Sequence, residues 1–196
     1  MDDGDRPGAL GAASVASRVT EWGALLYLLP PAVLLRSGRQ CRELRAIGWR
    51  ATAGLRHAAL GLAGGAFLGI HLLISASFTL GYAVSLASPA QYLSAVAYDV
   101  GANGLTAEWL FRGALFSRLW RRWPFWPAAS LSTAMAVARY LVDPALPAAI
   151  EVRVGAVFYT ALLGVGACVL RAESGSLLPG YLGTIAFFAA YRLLSP

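Results

Sequence analysis

Six stretches of mainly apolar residues take up most of this chain, near Trp22 to Leu35, Ala58 to Leu80, Tyr92 to Phe116, Pro127 to Val142, Val154 to Leu170 and Leu177 to Leu194. A helix that crosses the hydrocarbon core of a bilayer requires roughly 20 such residues. The expected architecture is therefore an all-α, polytopic transmembrane helical bundle of about six spans. Composition agrees: 58% of the residues are hydrophobic and 13% charged, whereas soluble domains carry about a quarter charged residues. Residues 1–20 read as a polar N-terminal tail and 21–196 as a single transmembrane domain. Acidic at its start and without a basic region leading into an apolar core, the tail does not resemble a cleaved signal peptide. Pro30 and Pro31 should kink or break the first span.

Arginine placement sets the expected orientation. All 16 basic residues are arginine, and they gather after the first span (Arg36, Arg39, Arg42, Arg45, Arg50, Arg56), after the third (Arg118, Arg121, Arg122) and after the fifth (Arg171). Loops enriched in this way face the cytoplasm, which puts both termini outside. Trp120, Trp123, Phe125 and Trp126 interleave with Arg121 and Arg122 as an aromatic belt does at the headgroup layer. The basic residues are therefore assigned to topology and not to nucleic acid. The basic segment from Cys41 to His57, which also holds Leu44, Ile47, Trp49 and Leu55, reads either as a surface-lying amphipathic helix or as a solvated loop. Gly61, Gly65 and Gly69, four residues apart, leave one stripe of the second span without side chains, so another helix can approach closely. Cys41 and Cys168 form no disulfide framework or metal knuckle and are expected to be reduced thiols.

Ionisable residues inside such spans must face protein or water and find partners. His71, Asp99, Glu108, Arg112 and Arg139 meet that description. Glu108 and Arg112 are four apart with the acid first, the favoured order for a pair on one helical face. With Asp99 and with Arg139 from the next, oppositely running helix, they make an intramembrane charge cluster that can be neutral.

Around this pair the segment Thr106-Ala-Glu-Trp-Leu-Phe-Arg-Gly113 resembles the Glu-Glu-x-x-x-Arg signature of the CPBP intramembrane proteases, the CAAX protease and bacteriocin-processing family. Arg45-Ala-Ile-Gly-Trp-Arg50 resembles that family's Gly-Leu-Arg element, and Gly175-Ser-Leu-Leu-Pro179 its Gly-Ser-Leu-x-Pro. The resemblance runs from Arg45 to Leu194. It implies a helical bundle in which glutamate and histidine side chains activate water for peptide hydrolysis while an asparagine holds the oxyanion. Position by position, the signature's first glutamate falls on Ala107, its second on Glu108 and its arginine on Arg112. The histidine of the next helix falls on Arg139, with Met135 at the associated aromatic position. The second histidine falls on Thr184 and the asparagine on Phe187. Arginine stays protonated and is no general base, alanine binds no water, and phenylalanine donates no hydrogen bond. The implied chemistry is therefore missing at these positions while the Glu108 and Arg112 frame persists. A cation at Arg139 can instead pair with Glu108 or Asp99.

These readings lead to a degenerate family member acting as a scaffold, assembly or auxiliary subunit of a membrane complex, expected in a bacterial cytoplasmic membrane. Its partners are the lipid bilayer and another integral membrane protein. A divergent peptidase using Glu108, with Tyr140, Tyr181 or Thr184 as donors, is the alternative enzyme class. A transporter is a third class, without inverted repeats to support it. His57 reads as an interfacial side chain. His71 is expected to be hydrogen-bonded within the bundle, with ligation of a pigment or haem as a lesser option. Ser132 and Thr133 have no paired base and read as helix-to-helix hydrogen-bonding groups. No cofactor and no metal site are expected.

Overall fold

The computed structural model describes residues 48, 54–81, 89–141 and 150–193. The expected first span, the N-terminal tail, Cys41 and all of the basic segment before residue 54 except Gly48 lie outside them. The described residues are helical, with no strand among them. Helix α1 is Leu55–Leu80. Helix α2 runs without a break over residues 89–120, through Pro89–Tyr98, Asp99–Gly104, Leu105–Ala107, Glu108–Phe116 and Ser117–Trp120. Its Asp99–Gly104 and Glu108–Phe116 stretches are π-helical. Helices α3 (Phe125–Leu141), α4 (Ile150–Ser174) and α5 (Leu178–Tyr191) are the other helices among the described residues. Each of the last five expected spans thus coincides with one helix, give or take a few residues.

Two helices, over Leu55–Thr79 and Arg153–Ser174, are long and apolar enough to cross a membrane, and Leu178–Tyr191 is a shorter apolar helix. The 26 residues of α1 extend roughly 39 Å at 1.5 Å per residue, more than a hydrocarbon core of about 30 Å requires. Its outer surface carries Leu60, Leu62, Phe67, Ile70, Ile74 and Phe78, all exposed. Water does not favour such a continuous apolar face, whereas lipid accommodates it.

Among the described residues the largest helix contact joins α1 to α5, and the glycine stripe makes it. A Cβ on Gly61 would collide with the Pro179 carbonyl, one on Gly65 with the Gly183 carbonyl, and one on Gly69 would come within 2.6 Å of Ala190 Cβ. The contacts climb both helices in the same direction, so α1 and α5 run parallel with backbones nearly touching. On its other side α5 meets α2: the Tyr92 hydroxyl donates to the Ala189 carbonyl at 2.9 Å and the Tyr181 hydroxyl to the Val100 carbonyl at 2.8 Å. Ser132 of α3, fully buried, donates to the Phe111 carbonyl of α2 at 2.7 Å. Two apolar cores flank these contacts. Leu72, Tyr140, Ala156, Tyr159, Phe187, Phe188 and Tyr191 fill one, and Phe116, Ala128, Ala129 and Cys168 the other.

The turn between α4 and α5 shows why two separate sequence elements matter together. Gly175 takes a left-handed φ of 68°, ends α4 and donates its N–H to the Arg171 carbonyl at 3.1 Å. The Ser176 hydroxyl then accepts the Leu178 N–H at 3.2 Å, helping to start α5. Gly48, also left-handed at 87°, accepts the Leu177 N–H at 2.9 Å, and any side chain there would run into the Arg171 guanidinium. Two of the three sequence elements, around Gly48 and over Gly175 to Pro179, are therefore in direct contact.

Candidate functional site

Four helices converge on a cavity of about 40 Å³, room for one or a few waters. Its walls are Ala107, Glu108 and Arg112 from α2, Ala136, Val137, Arg139 and Tyr140 from α3, Thr160 and Leu163 from α4, and Thr184 and Phe188 from α5. Ala107, Glu108, Arg139 and Thr184, drawn from three helices, therefore surround one space. Phe187 is not part of that wall. It is fully buried on the side of α5 where its backbone meets the Gly69 stripe of α1, and its neighbour Phe188 takes the cavity position.

Glu108 is 3% exposed and its carboxylate is held on one side only. Oε1 accepts the Thr184 hydroxyl at 3.1 Å and lies 3.8 Å from Arg112 Nε. That separation gives Coulomb attraction without a hydrogen bond. The spacing of four residues does pair the two charges, but through a π-helical stretch, and Thr184 makes the direct contact. Glu108 Oε2 makes no hydrogen bond to a described residue. It rests against Gly180, where an added Cβ would come within 2.8 Å of it, just as a Cβ on Gly164 would lie 2.5 Å from Arg112 Nη2. Two glycines thus give the charged groups their space, and they also admit Thr133 and Ala167, which an added Cβ would crowd.

Asp99 belongs elsewhere. Only 1% exposed, it accepts two hydrogen bonds from Arg192 at the end of α5, Nε to Oδ2 at 2.6 Å and Nη2 to Oδ1 at 3.1 Å. Glu108, Arg112 and Arg139 of the expected cluster line the cavity, and Asp99 is bound by Arg192. Arg192 was not among the expected site residues, although it falls inside the apolar stretch Leu177 to Leu194. That placement was the signal available for it.

Other expected residues find local partners. His71 Nδ1 lies 2.5 Å from the Tyr159 hydroxyl and 3.3 Å from Ser75 Oγ, joining α1 to α4. His57 pairs loosely with Glu173, 3.8 Å between Nε2 and Oε2. Tyr181 spends its hydroxyl on Val100. Thr133 packs beside Gly164, and Ser132 ties α3 to α2 as its helix-bonding reading expects. Among the described residues no group of three or more histidines, cysteines or carboxylates is placed to hold a metal.

Glu108 and Arg112 of α2 thus face a cavity walled also by three other helices. Residues 89–187, just over half of the chain, match the family model described as Type II CAAX prenyl endopeptidase Rce1-like. The chain belongs to that family, within the CPBP group, and is an integral membrane protein of protease-like type. No curated protein and no solved structure gives a match.

Proposed function

We propose that this family member no longer hydrolyses peptide bonds and serves as a scaffold, assembly or auxiliary subunit for another integral membrane protein. In this reading it has about six spans, lies in a bacterial cytoplasmic membrane and has both termini outside. The observation that carries the proposal is the cavity wall. Ala107, Arg139 and Thr184 stand around one space with Glu108, so the substitutions at the family's glutamate and two histidine positions converge on a single site. None of the three replacements can act as a general base at neutral pH. The fold persists without the reaction.

A second reading is favoured by one specific feature. Glu108 Oε2 is unused and the cavity can hold water, the minimum for a divergent glutamate-dependent endopeptidase. Its candidate donors are all engaged, because Tyr181 and Thr184 donate to Val100 and Glu108 and the Tyr140 hydroxyl on the cavity wall is hydrogen-bonded with Tyr191.

Gentle purification from native membranes, with identification of copurifying proteins for wild type and Glu108→Ala, separates the two. A scaffold is expected to bring a stoichiometric membrane partner and no cleavage product, with the partner lost from Glu108→Ala if that frame shapes the docking surface. Cleavage of a copurified or added substrate that disappears in Glu108→Ala while assembly stays intact establishes the peptidase.

A further inference from the structure

The turn between α2 and α3 carries a charge arrangement that no described acidic side chain balances. Arg118, Arg121 and Arg122 are spaced three and four residues apart at the end of α2, which sets them on one face, and all three are exposed. No ion pair or hydrogen bond joins them to another described side chain. Between Glu108 and Asp143 the sequence has no acidic residue. Like charges at these spacings repel, so an external anion relieves them. The buried or half-buried arginines differ, with Arg112 beside Glu108 and Arg192 on Asp99.

The turn is also rigid and amphipathic. Arg122 and Trp123 both donate their N–H groups to the Leu119 carbonyl, at 2.9 and 2.8 Å. Phe116, fully buried, stacks on Trp120 at 5.4 Å between ring centroids. Trp120 and Trp126 each meet Phe125 edge to face, at 6.1 and 5.1 Å. This aromatic ladder leads from the core to the surface, where Trp120, Trp123 and Trp126 are all exposed. Indole rings settle at the ester and headgroup layer of a bilayer, at the depth where lipid phosphates are within guanidinium reach.

We propose that this turn is a binding site for anionic phospholipid, with the phosphodiester held by Arg118, Arg121 and Arg122 and the acyl-ester region lying against Trp120, Trp123 and Trp126. The guanidinium fork suits phosphate oxygens, and the rigid turn lowers the ordering cost of presenting three of them together. The phospholipid is favoured over nucleic acid because exposed indoles alternate with the arginines on a helix end that leads directly into an apolar bundle.

The test uses the full chain in detergent micelles, mixed with equal amounts of phosphatidylglycerol and phosphatidylcholine of the same acyl chains, with bound lipid counted by native mass spectrometry. Wild type is expected to prefer phosphatidylglycerol, and the preference should fall by roughly fivefold for each arginine replaced by glutamine. The triple variant R118Q/R121Q/R122Q, checked for an unchanged thermal unfolding profile, should lose nearly all of it. Arg56→Gln, an exposed arginine on α1, should leave it intact. Equal binding of the two lipids by wild type overturns the proposal, as does a preference that survives in a folded triple variant. If the triple variant fails to fold, the single variants decide by the same criterion. Displacement of phosphatidylglycerol by millimolar inorganic phosphate, or by a short DNA duplex that binds through the same arginines, overturns it in favour of a bare anion site or a nucleic-acid surface.

Discussion

Helix α2 carries two buried carboxylates, and each opens a π-helical stretch. Asp99 is gripped through both oxygens by an arginine from another helix. Glu108 faces its arginine on the same helix at 3.8 Å, shares one oxygen with a threonine and leaves the other unsatisfied beside a cavity. The difference is between a fastening and a held opening. A bidentate guanidinium contact uses the full geometry of both groups and joins α5 to α2 across 93 positions of sequence. The Glu108 arrangement, by contrast, keeps a carboxylate within a protein interior without fully neutralising its hydrogen-bonding capacity, an unfavourable condition that catalytic or binding sites sustain.

Breaking the fastening should have the largest effect. Arg192→Ala leaves Asp99 buried without its main partner, and a loss of about 3–5 kcal/mol is expected in reversible unfolding from mixed micelles. A loss below about 1 kcal/mol would remove the distinction between the two pairs. Next comes Thr184→Val, which keeps shape but deletes the hydrogen bond to the Glu108 carboxylate. The same measurement should register about 1.5–3 kcal/mol. Ser132→Ala, which removes a neutral hydrogen bond to the Phe111 carbonyl, should cost about 1 kcal/mol and so calibrates the others. The coupling within Glu108 and Arg112 tests the comparison directly. A double-mutant cycle with Gln at both positions isolates a Coulomb attraction without a hydrogen bond and should give less than the coupling of Asp99 with Arg192, and an equal coupling would show a direct bridge in solution. Arg139→Ala bears on the cavity separately: unchanged folding and thermal stability would end the idea that its cation neutralises the former catalytic space.

Much of the bundle was legible from hydropathy, because a helix in lipid must be apolar over its whole length and the chain marks that length directly. The glycine stripe was equally readable, since only a side-chain-free face at a spacing of four permits the approach that Gly61, Gly65 and Gly69 make to α5. The pair of Glu108 and Arg112 followed from spacing, but its distance did not: π-helical winding is not written in residue periodicity, and Thr184 reaches Glu108 from 76 positions away. The convergence of Ala107, Arg139 and Thr184 came from resemblance to a family pattern and not from local chemistry. Phe187 lies outside the cavity wall, with its backbone against Gly69 of α1, a placement that the pattern along the helix does not state. Arg192 escaped notice for another reason. At the end of a span an arginine reads as a boundary marker, and only the folded bundle brings Asp99 beneath it.

The parallel contact of α1 with α5 also has a consequence in time. Translation delivers α1 before α5, with more than a hundred residues between the facing positions Gly61 and Pro179. Until α5 emerges, the largest helix contact among the described residues has no second half, and the glycine stripe is open to whatever lies beside it. This contact is therefore committed only once α5 has been made. A ribosome that stalls before residue 178 would leave a set of inserted helices that has never had the opportunity to close.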